Sequence, residues 1–288
     1  MRPSNLKTRI FLDGGIPEET KEVIKLLGFL DGQTTNPTLI TKHPSFLVCQ
    51  AKGEKCTESD GWKYYQEIVS EISPLVEKGS VSIEVYADHN TKAEEMVSKG
   101  LELFQWIPNA HVKLPITTEG LKAAEILVDK GIRVNMTLCF TQEQAAAVYA
   151  ATRGAKKGDV FVSPFIGRLD DIGENGMGLF ENILKMYKES DGHVEVLVAS
   201  IRSIGHYLRS LQLKADIITS PFKILKEWAS KGMPIPKDDY QYKNNNLKDI
   251  PYQELDLSKD WQGFNILHDL TDKGIERFSQ DWNALITR

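Results

Sequence analysis

Between residues 9 and 232, short runs of β-branched and apolar residues alternate with segments of helical period, eight times over. No other property of the chain limits its fold as tightly, because a strand followed by a crossover helix, repeated eight times, predicts a closed (β/α)8 barrel of the α/β class. The runs are Arg9–Asp13, Gly28–Asn36, Val81–Val85, His111–Pro115, Arg133–Leu138, Val160–Phe165, Val194–Ser200 and Ala215–Thr219. Helices are expected from Pro17 to about Leu27, where proline and acids open the first turn, and through Trp62, Tyr65, Ile68, Val69 and Ile72 at spacings of three and four. Further helices are expected from about Thr91 to Leu103, after Thr141-Gln142-Glu143-Gln144, read as a capping box, and from Pro221 to about Lys231. A length of 288 residues suggests about two domains. The repeat count instead favours one domain over 1–288, a TIM barrel at about 9–232 with a C-terminal extension at about 233–288; a doubly wound open sheet is less natural at eight units.

In the extension, residues 237–257 are polar and read as a connecting loop. Leu267, Leu270, Ile275, Phe278, Trp282 and Leu285 then recur at helical spacing, so the chain ends in an amphipathic helix whose apolar face must pack on the barrel or on a neighbouring subunit. Lys plus Arg number 35 against 40 Asp plus Glu, a formal charge of −5, which argues against a nucleic-acid footprint. Any anionic ligand must be held by a few local cations. With no signal-peptide run and no long apolar window, the chain is expected to be cytoplasmic and to engage no membrane. Cys49, Cys56 and Cys139 form no CxxC pair and are read as reduced thiols. The six histidines lack ligand spacing, so no metal site is expected. Asn135-Met136-Thr137 matches a glycosylation sequon inside a strand pattern, and Gly173–Gly178 is glycine-rich outside any strand–helix phosphate loop; neither is assigned a function.

In a barrel the chemistry sits at the C-terminal ends of the strands. Polar residues are plentiful there: Asp13, Thr34-Thr35-Asn36, Glu84, Lys113, Asn135 and Thr137, Ser163 and Arg168, Ser200 and Arg202. A strand-end Asp, Asn or Thr is more often a turn or cap residue. Glu84 and Lys113 are different, because a lone charge between aliphatic neighbours is costly unless it is paired or an edge register turns it to solvent. An interior lysine is expected to titrate closer to neutrality, and its neutral amine attacks carbonyls to give a Schiff base. Asp13 and Glu84 are the candidate acid/base groups. Arg168 and Arg202 could clamp a phosphate, and the Asn and Ser side chains could bind polyol hydroxyls.

Thr34-Thr35-Asn36-Pro37-Thr38-Leu39, Val81–Val85, Asn135-Met136-Thr137-Leu138, Ser163-Pro164-Phe165-Ile166-Gly167-Arg168 and Ala199-Ser200-Ile201-Arg202 together resemble the motifs of transaldolases, in order over roughly residues 9–232. The resemblance implies a class I aldolase barrel with its Schiff-base lysine at Lys113. It implies transfer of a dihydroxyacetone unit from fructose 6-phosphate or sedoheptulose 7-phosphate to erythrose 4-phosphate or glyceraldehyde 3-phosphate, in the non-oxidative pentose phosphate pathway. It further implies that Asp13 deprotonates the C4 hydroxyl, and that Glu84 and Thr137 hold a proton-shuttling water. Asn36, Asn135 and Ser163 would bind the dihydroxyacetone moiety, Arg168 and Arg202 the phosphate, with Thr35, Phe165 and Ser200 completing the pocket. No cofactor or metal is implied, because the iminium is the electron sink. The partners expected are sugar phosphates and a second copy of the chain in a homodimer. Fructose 6-phosphate aldolases, which release free dihydroxyacetone, resemble this group but carry Gln and Tyr where this chain has Glu84 and Phe165. The 43–60 insertion and the 237–257 loop match nothing in the resemblance. A lyase of that kind and a non-catalytic sugar-phosphate-binding barrel remain the alternatives.

Overall fold

The computed structural model describes residues 2–44, 46, 56–243 and 246–287. Its strands are β1 (Arg9–Asp13), β2 (Gly32–Thr34), β3 (Cys56–Thr57), β4 (Ser80–Glu84), β5 (Ala110–Pro115), β6 (Val134–Cys139), β7 (Val160–Pro164), β8 (Val194–Val198), β9 (Ile217–Ser220) and β10 (Ile286–Thr287). All but β3 and β10 form one closed parallel barrel, in the order β1-β2-β4-β5-β6-β7-β8-β9, with closure through Arg9 opposite Ile217 and Leu12 opposite Ser220. Each barrel strand is covered on both faces, which is why the runs read as nearly continuous apolar stretches. Ile10, Phe11, Leu12, Val81, Ile83, Val134 and Met136 are all fully buried.

Eleven α-helices of the described residues follow in chain order: α1 (Pro17–Leu27), α2 (Pro37–Ile40), α3 (Glu58–Ile72), α4 (Ala93–Phe104), α5 (Thr118–Asp129), α6 (Gln142–Ala151), α7 (Ile166–Asp170), α8 (Gly176–Tyr187), α9 (Ile204–Gln212), α10 (Phe222–Ser230) and α11 (Asp269–Asn283). The second strand is shorter than the expected 28–36 because its ends serve as caps. Gly28, at φ 78°, closes α1 in the left-handed region, and the Asn36 side chain accepts from Leu39 N at 3.0 Å to start α2. Residues 45 and 47–55 of the expected insertion lie outside the described residues, and 56–60 form β3 and the start of α3.

The box expected at Thr141 is only half formed. Thr141 accepts from Gln144 N at 3.0 Å, but the buried Gln144 side chain accepts from Phe140 N instead of Thr141 N and donates to the tail at Ile266 O and Thr271 Oγ1. The polar loop follows the outside of the barrel, pinned by Asn182 to Ile250 O, by Gln142 to Gln253 and by Arg153 to Leu257 O. It delivers α11 to the mouth of its own barrel, where Thr271 bonds Leu138 O and Asp281 bonds Thr38. Leu270, Ile275, Phe278, Trp282 and Leu285 are buried as the periodicity requires, whereas Leu267 lies before the helix and is 79% exposed. After α11 the chain pairs β10 in parallel with β3. Cys139 is free and buried, but Cys56 is disulfide-bonded, which corrects the reading of reduced thiols; spacing along the chain does not report which sulfurs the fold brings together. Among the described residues, no helix is long and apolar enough to cross a membrane.

Candidate active site

The pairing of β4 with β5 sets Glu84 opposite Lys113 at the C-terminal end of the barrel. Lys113 Nζ lies 2.9 Å from Glu84 Oε2 and donates to Thr35 O at 3.2 Å, and both side chains are about 95% hidden from solvent. The edge register that would have turned these charges outward is therefore not adopted. Burial pushes the Glu84 carboxyl above the usual carboxylate range, and the facing Lys113 charge partly opposes that. Asp13, at the end of β1, is raised for the same reason and opposed first by Lys113 and then by a hydrogen bond from Thr34 Oγ1 at 2.8 Å. Because that bond uses the Thr34 proton, Thr219, 2.6 Å away, must be the donor to Thr34.

Below the pair lies a floor of fixed hydroxyls and amides. Ser163 donates to Asn135 Oδ1 at 2.7 Å, and Asn135 Nδ2 donates to Ser82 Oγ at 3.0 Å, so Asn135 is wholly buried and outside any glycosylation context. Thr137 Oγ1 is buried and has no hydrogen-bond partner among the described residues. Thr35 is buried beside β4, where its hydroxyl donates to Ser82 O.

Above the floor opens a cavity of about 190 Å³. Asp13, Asn36, Lys113, Ser163 and Phe165 line it, together with Arg168, Ser200 and Arg202. Glu84, Thr35, Asn135 and Thr137 stand behind this wall, Glu84 facing a smaller recess shared with Phe278. Arg168 starts from α7 rather than a strand end, and its guanidinium sits between the Phe165 and Phe278 rings, 5.2 and 5.3 Å from their centroids. Burial, Arg277 and Arg202 together hold the Arg168 pKa below its ordinary value. Like charges gathered this way favour an anion between them. Arg202 is turned toward Asp171 at 2.9 Å, both side chains being more than half exposed. Gly167 makes this packing feasible: a Cβ there would sit 2.2 Å from Ser200 O and 2.4 Å from Arg202 Cγ.

The sequence profile described as Transaldolase/Fructose-6-phosphate aldolase matches residues 10–288. The chain belongs to that family. A relative named "Probable transaldolase" in Dehalococcoides mccartyi is 35% identical over 96% of this chain and 99% of its own length. One of the same name in Thermoplasma volcanium is 36% identical over 96% of both chains. Another in a Ruegeria species is 41% identical over 69% of this chain and 79% of its own. The family match includes α11, and α11 contributes what motif reading missed: Arg277 and Phe278 in the cavity wall. Phe278 was legible as an apolar position of an amphipathic helix, but periodicity does not tell which surface the helix meets. Thr38, in the first turn of α2, and Thr219, in β9, also line the cavity.

Proposed function

We propose that the protein is a transaldolase that moves a dihydroxyacetone unit between sugar phosphates through a Schiff base on Lys113. The observation that carries this reading is the buried Lys113–Glu84 ion pair at the edge of an arginine-lined cavity. Proton transfer from Lys113 to Glu84 gives a neutral amine, which attacks the ketose C2 carbonyl. Loss of water from the carbinolamine yields the iminium, with Glu84 and the free Thr137 hydroxyl placed to hold the water that moves the protons. Ionised Asp13 then takes the proton of the C4 hydroxyl, the C3–C4 bond breaks, and its electrons pass into the iminium as an enamine. The aldose phosphate leaves and another aldose enters. Its aldehyde adds at C3 while Asp13 returns the proton, and hydrolysis frees Lys113. Asn36 and Ser163 line the cavity with Lys113 and suit the dihydroxyacetone hydroxyls, while Arg168, Arg202 and Arg277 suit the phosphate.

Incubation with fructose 6-phosphate and erythrose 4-phosphate is expected to give sedoheptulose 7-phosphate and glyceraldehyde 3-phosphate in equal amounts. Sustained release of free dihydroxyacetone from fructose 6-phosphate alone would instead make the protein a lyase.

A further inference from the structure

We infer that Tyr65, from helix α3 outside the barrel, is a positioning residue that holds the two ends of the Lys113–Glu84 pair in register. The inference rests on the reading of Lys113 as the nucleophile and Glu84 as its proton acceptor. Between β2 and β4 the last backbone bond runs from Thr35 N to Ser82 O at 3.1 Å, and beyond it the two strands part. Glu84 N–H, on the side facing β2, is met there by a side chain: it donates to Tyr65 Oη at 3.0 Å. Tyr65 Oη also lies 2.6 Å from Thr35 Oγ1, and Thr35 Oγ1 donates to Ser82 O at 2.7 Å. A threonine hydroxyl has one proton, already given to Ser82, so the phenol must donate to Thr35 while accepting from Glu84.

One fully buried phenol thus fixes the backbone of Glu84 and the residue whose carbonyl accepts from Lys113 Nζ. Its ring cannot drift. It stacks on Trp62 at 6.2 Å and meets Trp106 and Trp282 at 6.1 and 6.4 Å, Trp282 being supplied by α11. The charged groups facing Glu84 are Lys113 of β5, Asp13 of β1 and Arg168 of α7, and the Tyr65 phenol, its own pKa pushed up by burial, stays neutral throughout the working range. Loosening the Glu84 backbone weakens its attraction to Lys113, which is the largest influence lowering the carboxyl pKa. Glu84 then takes up its proton at higher pH.

The test is Tyr65→Phe in the full-length enzyme, measuring kcat, KM and the pH dependence of kcat/KM with fructose 6-phosphate and erythrose 4-phosphate. We expect kcat to fall roughly ten-fold, KM to change less than about two-fold, and the acidic limb to move to higher pH. Val69→Ala removes buried packing from the same helix without touching the relay, and is expected to lower thermal stability with the limb in place. Should Tyr65→Phe not fold, Thr35→Val removes the phenol's acceptor and should move the limb the same way. An unshifted limb with wild-type kcat in the folded variant overturns the positioning role alone. Failure of the wild-type enzyme to form a borohydride-trapped adduct on Lys113 overturns the reading of the site, and this inference with it.

Discussion

Asp13 and Arg168 show what the site costs in single residues. Burial raises the Asp13 carboxyl pKa in the fold, so the folded protein keeps a proton at pH values where the unfolded chain has released it. Stability must therefore fall as pH climbs from the ordinary carboxylate range through the raised value, and the loss persists above it. Asp13→Asn cannot ionise and escapes that loss. Its melting temperature should exceed wild type by a few degrees at about pH 8 and match it below about pH 3, where both forms are neutral, while kcat falls by about 10²-fold or more. A gain that persists unchanged at acid pH would contradict this account of Asp13. Arg168→Ala should raise KM for phosphorylated donors by about ten-fold or more and narrow the preference over fructose itself, since a charge-assisted contact is worth about 1.5–3 kcal/mol. Equal losses with both sugars would remove Arg168 from the phosphate site. Glu84 and Lys113 stood out in the sequence because a charge between aliphatic neighbours has few bland explanations, whereas Asp13 and the two motif arginines were picked out by their places at strand ends and by the family resemblance. Tyr65 was not, because in a helix periodicity it counts as one more core position, and only the parting of β2 and β4 gives its hydroxyl work.

Among the elements, α11 most changes what the sequence implied. Its apolar face was readable; its docking surface was not, since that is set by Gln144, Thr271 and the Leu138 carbonyl, partners far apart in the chain. Leu138 itself takes φ 62° where the β6–β7 register shifts, an uncommon conformation for a branched residue, and its carbonyl receives Thr271. Directly above, Gly274 of α11 leaves room for Arg168: a Cβ there would fall 2.6 Å from a Leu138 methyl and 2.8 Å from Arg168 Nη1. Gly274→Ala should therefore displace the guanidinium, costing about 1–3 kcal/mol in stability or phosphate binding and raising KM for phosphorylated donors. A variant with unchanged melting temperature and unchanged KM would show that the helix floats freely over the mouth. The expected capping box at Thr141 is only half formed for a related reason: Gln144 matches the local pattern, but its side-chain oxygen accepts from Phe140 N while its amide nitrogen holds the tail.

Across the whole molecule, the alternation of strands and helices carried the fold because a parallel barrel buries each strand on both faces and so writes it as an apolar run. What it left unread are contacts between distant segments: the seating of the tail and the pairing of β10 with β3. The barrel brings Asp13, Glu84 and Lys113 from three strands to one end, and the tail closes over them with Arg277 and Phe278. The proposed mechanism requires this assembly to activate one lysine. Reduction with borohydride in the presence of fructose 6-phosphate, followed by peptide mass spectrometry, should place a reduced three-carbon dihydroxyacetone adduct on Lys113, with none in Lys113→Ala. An adduct on another lysine, or catalysis that persists in Lys113→Ala, would contradict it.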